Sequence, residues 1–349
     1  MKTNDRTKTA IVILNWNGRH FLEKFLGKVI ESISNSAGIG ETKLVVADNA
    51  STDDSIEWTR ANCPRAELIL LDKNYGFADG YNKSLEQINS EYYVLLNSDI
   101  DVAGDWLSPL IDYMDSNPDV AACAPKLRAF DSPELFEYAG ACGGFIDKYG
   151  YIFCRGRILD FIEEDRGQYD SNMYVFWATG AALMIRSELF HRAGGLDGAF
   201  FAHMEEIDLC WRLQQMGYRV ANVPESVVYH VGGGALPNNS PRKLYLNYRN
   251  NLMMLAKNLP ENQWFIILIR LFMDAASGIV YLISGKLSYF NAVIMAHWAF
   301  FGKIPSCLRK RKAFKHLIVK KADIGIYKGS IVYRYFKSGK KLRFPQLKM

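Results

Sequence analysis

The sequence predicts an α/β fold: a mostly parallel central sheet flanked by helices, followed by a helical and basic C-terminal extension. Three observations carry that expectation. Short apolar runs alternate with segments of helical period through the first hundred residues. Each of those runs ends on polar residues. Positive charge is concentrated behind Gly302. Strands buried on both faces read as short continuous apolar runs, and the helices between them form right-handed crossovers.

Taken in order, residues 10–14 read as a buried strand, 20–33 as an amphipathic helix and 43–47 as a second strand. Residues 53–61 are helical, with Ser51 or Thr52 available as the cap. Residues 67–71 form a third strand, 78–88 a helix and 92–96 a fourth strand, with a helix-like stretch after Trp106. Residues 142–170, rich in Gly, Tyr and charge, are expected to include a loop over the site. The apolar run 176–185 is interrupted by Thr179-Gly180, which permits close backbone approach to a ligand. A helix starts at the acidic cluster Glu205-Glu206-Ile207-Asp208, and residues 226–229 are strand-like. Residues 232–241 are turn-rich and expected to be mobile.

Length and composition allow a domain over residues 1–257 and a helical, basic region over 258–349. Apolar content of 49% with 23% charged residues excludes wholesale disorder. The first nine residues are polar and lack the apolar core of a signal peptide. Six cysteines show neither C-x-x-C nor zinc spacing, so reduced thiols in the cytoplasm are expected. The net charge of +5 hides an asymmetry: from Gly302 onward fifteen Lys or Arg face one acid, while the rest carries 27 basic and 36 acidic side chains. Residues 264–283 are apolar and reach the roughly 20 needed to cross a bilayer. Arg270 and Asp274 sit inside that run, and each charge costs about 2.5–3.5 kcal/mol at the centre of a span. The run 289–301 is too short to cross alone. Helices lying in the interface, with Trp264 and Trp298 at head-group depth, are therefore expected on the inner face of the cell membrane. The basic tail follows an apolar segment, so anionic lipid rather than nucleic acid is its expected partner. A bilayer span or re-entrant hairpin, and a helical dimerisation or core segment, are the alternatives; dimerisation would give a homo-oligomer.

Ligands on open α/β sheets sit at the carboxyl ends of the strands. Those ends hold Asn15-Trp16-Asn17-Gly18, Asp48-Asn49-Ala50-Ser51, Asn74-Tyr75-Gly76-Phe77 with Asn82 beyond, and Asn97-Ser98-Asp99. Asp48 can accept a hydrogen bond from a nucleobase imide, although an Asx-turn explains the same pattern. Asp99, with Asn97 as a weaker partner, suits a hard cation such as Mg²⁺ or Mn²⁺ carrying a diphosphate. His230 is a candidate third ligand, and a structural imidazole is the other explanation. Glu205, Glu206 and Asp208 supply either compensation of the helix dipole or a general base. The segment 74–82 lacks a G-x-G-x-x-G fingerprint, which weighs against a dinucleotide enzyme.

As an ordered set, these motifs together with Leu209-Cys210-Trp211-Arg212 resemble the inverting family 2 glycosyltransferases of the GT-A fold, close to the bacterial rhamnosyltransferase-like group. The resemblance covers about residues 9–257. It implies a nucleotide-diphosphate sugar donor (dTDP- or UDP-linked), a divalent metal, and a lipid-linked or saccharide acceptor in cell-surface polysaccharide or lipopolysaccharide assembly. Asp48 matches the base-binding acid, Asn97 and Asp99 the metal motif, and His230 a histidine that ligates metal in some members. Glu206 stands where the family's base is usually Asp, and Asn97 replaces the first Asp of D-x-D. Tyr248-Arg249-Asn250 resembles a segment that faces the diphosphate. The substrate-contacting set so implied is Asn15, Asn17, Asp48, Asn49, Asn74, Gly76, Phe77, Asn82, Asn97, Ser98, Thr179, Gly180 and Arg249. A sugar-1-phosphate nucleotidyltransferase, which needs a basic Gly-rich loop after the first strand, and a non-catalytic membrane adaptor are the competing readings.

Overall fold

The structure is a computed structural model and describes residues 6–35, 40–232 and 240–349. The first half alternates β1 (Thr7–Asn15), α1 (Arg19–Asn35), β2 (Thr42–Asp48), α2 (Ser55–Asn62), β3 (Glu67–Leu70), α3 (Gly76–Leu85) and β4 (Ser90–Leu96). It continues through β5 (Ile100–Val102), α4 (Ser108–Ser116) and β6 (Val120–Ala129). Four short strands follow, β7 (Gly144–Asp147), β8 (Ile152–Cys154), β9 (Arg157–Ile158) and β10 (Phe161–Ile162). Next come β11 (Met173–Val175), β12 (Ala182–Arg186), α5 (Ser187–Arg192), α6 (Glu205–Gln215) and β13 (Arg219–His230). The chain closes with α7 (Pro241–Asn258), α8 (Phe265–Ile283), α9 (Leu287–Phe314), β14 (Ile326–Tyr327) and α10 (Ile331–Lys337).

The main sheet has the order β11-β13-β6-β12-β4-β1-β2-β3, with β5 on β13. Strands β3, β2, β1 and β4 are mutually parallel, β12 runs antiparallel between β4 and β6, and β13 is parallel to β6. Side chains alternate across the pleat: Ala10 and Val12 enter one core with Tyr81 and Leu85, while Ile11 and Ile13 enter the other with Leu22 and Trp106. Both faces are covered, which is why these strands read as unbroken apolar runs.

Three expectations change. Residues 142–170, expected to include a loop, also carry four strands, and β10-β9-β8-β7-β14 form a second sheet. Its strands here are two to four residues long, too short to show a period. Neither Ser51 nor Thr52 caps α2: the helix begins at Ser55 and Asp53 accepts from the Ser55 N–H at 3.2 Å. The break at 257/258 falls inside α7, and the region beyond it is built into the body. β14 adds to β7 in parallel, and Phe344 packs on Phe145 with ring centres 4.6 Å apart. Of the turn-rich segment 232–241, residues 233–239 lie outside the described residues.

Among the described residues one helix, Glu261–Ile283, is long and apolar enough to cross a membrane by length and composition. The two charges in its middle face the body: Arg270 is 4% exposed and Asp274 fully buried. The Arg270 Nε donates to Asp274 at 3.1 Å, its other arm donates to Asn251 at 2.7 Å, and the guanidinium lies 3.8 Å over the Tyr151 ring. The opposite face is bare, with Phe272 77%, Ile283 81% and, on α9, Trp298 70% exposed.

Candidate active site

In the order β3-β2-β1-β4 the sheet reverses direction of growth between β1 and β4, and such a switch point opens a crevice for ligands. The polar residues predicted at the strand ends meet there. Asn15 donates from one amide nitrogen to Asp48 at 3.0 Å and to Ser51 at 3.1 Å, while the Ser51 N–H donates to Asp48 at 2.8 Å. Asn17, at φ 51°, accepts from the Thr52 N–H at 2.7 Å. A Cβ on Gly18 would lie 2.4 Å from the Asn15 Oδ1 and 3.5 Å from the Ser98 Oγ, which places the β1 and β4 ends side by side.

The next layer is held by carboxamides. Asn49 donates to Asn74 at 3.1 Å and to the Gly76 carbonyl at 3.0 Å, and accepts from the Tyr75 N–H at 2.9 Å. Gly76 has φ 74°, and a Cβ there would fall 2.7 Å from the Phe201 ring. Asn82, expected among the ligand contacts, grips Leu196, donating to its carbonyl at 2.7 Å and accepting from its N–H at 2.9 Å. Arg249 likewise bonds to the protein. It donates to the Ala199 and Phe200 carbonyls at 3.3 and 2.9 Å and to the Asn250 side chain at 2.9 Å, so it shapes a loop.

At the far end of β4, Asp99 meets His230 from the end of β13, Oδ1 to Nε2 at 3.2 Å. Glu137, which no motif in the sequence marks, stands on the other side of the ring, 3.3 Å from Nδ1. All three are more than nine-tenths buried. Burial works against protonation of His230, but the two carboxylates outweigh it and push the imidazole up to about 10. Asp99 is held below its ordinary range: burial alone would raise it, and the His230 contact overcomes that. Asn97 is partly exposed, and its backbone N–H donates to the Ala181 carbonyl at 2.9 Å. Asp101 is taken by Lys28 at 2.7 Å.

The acidic cluster opens α6 after a strained approach, with Phe201, His203 and Met204 at φ 67°, 70° and 76°. Left-handed non-glycine residues of this kind gather at functional sites. The structure separates the three acids. Asp208 is fully buried and bound by Arg212 at 2.9 Å, Lys257 at 2.8 Å and Asn258 at 2.8 Å, which removes it as a base. Glu205 and Glu206 each keep a buried Oε2 without a hydrogen-bond partner among the described residues. Burial, and for Glu205 also the neighbouring Glu206, lifts Glu205 well above the carboxylate range, and burial lifts Glu206 to about 7. Glu205 is 4% exposed, whereas Glu206 retains partial access to solvent.

A Cβ on Gly180 would lie 3.5 Å from both the Glu206 Cβ and the Phe77 ring. The neighbouring Thr179 donates to the Ala139 carbonyl at 2.8 Å, and the Ala139 N–H in turn donates to Glu137. Glu206, Gly180, Thr179, Glu137, His230 and Asp99 thus form one connected wall.

Residues 10–185 match the model of the family described as "Glycosyl transferase family 2". The chain belongs to glycosyl transferase family 2. Relatives of this transferase include the N-acetylglucosaminyl-diphospho-decaprenol L-rhamnosyltransferase of Mycobacterium tuberculosis, 22% identical over 264 residues that cover 70% of this chain and 83% of the relative. The rhamnosyltransferase WbbL of Escherichia coli K12 is 26% identical across 60% of this chain and 80% of its own. In fold the transferase resembles TarS 1–349 of S. aureus, with TM-score 0.55 at 14% identity over 89% of this chain and 86% of that one. It also resembles GalNAc-T7 solved with UDP, GalNAc and Mn²⁺, with TM-score 0.57 at 13% identity over 87% of this chain and 58% of that one. The architecture is the GT-A fold, and the transferase is a nucleotide-sugar-dependent enzyme.

The donor set at the wall suits a hard or borderline divalent cation: one carboxylate oxygen and one imidazole nitrogen, beside a second carboxylate. Two buried carboxylates flank the His230 ring, so negative charge is concentrated at this point. Among the described residues no three His, Cys, Asp or Glu side chains are arranged to cage a metal alone.

Proposed function

We propose that this enzyme transfers a sugar, of rhamnose type, from a nucleoside-diphosphate donor to a hydroxyl of a lipid-linked or saccharide acceptor, with inversion, during cell-surface glycan assembly. The supporting observation is the connected wall that puts Glu206, whose Oε2 has no hydrogen-bond partner among the described residues, together with the Asp99–His230 pair. The rhamnosyltransferase relatives support the sugar and the glycan setting. The loop around Asp48, Asn15 and Asn17 is the seat for the nucleoside, and Asn49, Asn74 and Gly76 keep it in shape.

Glu206 accepts the proton of the acceptor hydroxyl as that oxygen bonds to the anomeric carbon. The bond from that carbon to the diphosphate oxygen breaks, and the nucleoside diphosphate leaves with the electron pair. A carboxyl near 7 is matched to this work, since a base is most effective with its pKa close to the working pH. Asp99 and His230 would hold Mg²⁺ or Mn²⁺, which supplies neutralisation of the charge gathering on the leaving diphosphate. Asn97 and Ser98, at the mouth of the same strand, face this region.

The bare faces of α8 and α9, followed by the basic run Arg309-Lys310-Arg311-Lys312, suit an enzyme resting on the anionic inner leaflet. Incubating the full chain with a panel of nucleotide sugars, with and without Mn²⁺, tests the reading. Donor hydrolysis or transfer with at least one member is the expected result. No turnover and no binding of any nucleoside diphosphate would refute it.

A further inference from the structure

The resemblance pointed to Arg249 in a segment facing the diphosphate, and its Nη2 donates to two backbone carbonyls while its Nε donates to Asn250. Another arginine stands ready. Arg157, on β9, is 6% exposed, and its Nε has no hydrogen-bond partner among the described residues. Its neighbours are the Leu159 carbonyl, which takes one arm at 3.2 Å, the Cys154 thiol, and the Tyr138 ring 4.0 Å beneath it. No carboxylate lies within ion-pair distance of it among the described residues. A buried guanidinium without a counter-ion is expensive and therefore asks for an anion.

The surroundings deepen the need. α7, eighteen residues long, opens with Arg242 and Lys243 and has no acid in its first turn, although the positive end of a helix dipole favours acids. Burial, opposed by the Glu137 carboxylate and reinforced by Arg157, holds the Lys243 ammonium below its ordinary range. Lys243 also helps burial to drive His203 down to about 4. Lys243 is therefore within electrostatic range of Glu137, Arg157 and His203.

We propose that Arg157 and the first turn of α7, through Lys243, form a subsite for a diphosphate group. The inference rests on the glycosyltransferase reading of the wall and names a contact to phosphate beyond it. Two sources carry that chemistry. Proximity to Glu137 suits the diphosphate of the donor. Tyr138, which carries Arg157, lies within electrostatic range of Tyr281, whose ring packs 5.5 Å from Tyr289 at the α8–α9 turn. That path runs towards exposed Ile283 and Leu287 and suits a diphosphate borne on a lipid.

The test is titration calorimetry on the full chain with two probes, UDP with Mn²⁺ and farnesyl diphosphate, for the native protein, Arg157→Met and Lys243→Gln. Charge-assisted hydrogen bonds of this kind set the expected loss at about tenfold or more for at least one probe. Loss confined to UDP assigns the donor, and loss confined to farnesyl diphosphate assigns the acceptor; either supports the subsite. Lys243 is partly exposed, so its variant remains informative if Arg157→Met does not fold. Unchanged affinity for both probes in a folded variant overturns this subsite alone. A native chain that binds neither probe overturns the subsite and the transferase reading together.

Discussion

Replacing Glu206 with Gln removes the carboxylate and keeps the shape, and its effect on stability reports the charge without any knowledge of the substrate. Burial raises the Glu206 carboxyl from an ordinary 4.5 to about 7. Between those values the unfolded chain has lost the proton and the native state keeps it. Native protein binds more protons, so stability falls as pH rises through this window and levels off above about 7. At 1.36 kcal/mol per unit the penalty reaches at most about 3 kcal/mol, reduced where water still touches the side chain. Urea denaturation of the native protein and of Glu206→Gln should give matching stabilities near pH 4.5. By pH 8 the variant should be the more stable by about 1–3 kcal/mol. Turnover should fall by about 10²–10⁴, or about 3–5 kcal/mol in barrier, and the rising limb near pH 7 should vanish. Stability curves that stay parallel from pH 4.5 to 8 would show a solvated, ordinary carboxylate and sink the assignment of the base.

Asp208→Asn is expected to do the reverse of Glu206→Gln: the buried Arg212 loses its carboxylate and Lys257 keeps only Asp197, and stability measured by urea should drop by about 3 kcal/mol while turnover per folded molecule holds. Asp99→Asn should weaken Mn²⁺ binding, followed by paramagnetic resonance in the presence of UDP, and should lower the melting temperature as well, because it takes one carboxylate from the buried His230. Because β14 completes the second sheet, cutting the chain after α7 would unfold it; membrane attachment is better tested by Phe272→Ser with Ile283→Ser and Trp298→Ser. That triple variant should lose most of its binding to anionic vesicles in sedimentation and keep its fold by circular dichroism.

Much of this molecule was legible in the chain. The strands β1, β2 and β4 are covered on both sides, so burial wrote itself as apolar runs, and the turns between them had to be polar. That pattern alone placed Asn15, Asp48 and Asp99 at one edge of one sheet. His230 could be named because it ends an apolar strand. The strands within residues 142–170 were not legible because a strand of two or three residues carries no period, and their partner β14 lies at the other end of the chain.

Identity of residue and position in sequence fixed the sheet, the family motifs and the acidic start of α6, because backbone period and local burial are short-range properties. Which acid keeps its proton, which arginine lacks a partner and which way Arg270 and Asp274 point were settled only by packing. Glu206 and Asp208 are two residues apart with near-identical chemistry, yet one meets no partner and the other meets Lys257 and Asn258 from α7. Glu137 reaches His230 only because β6 and β13 pair side by side. Charge and solvation are set by neighbours in space, and those neighbours come from parts of the chain that local pattern does not connect.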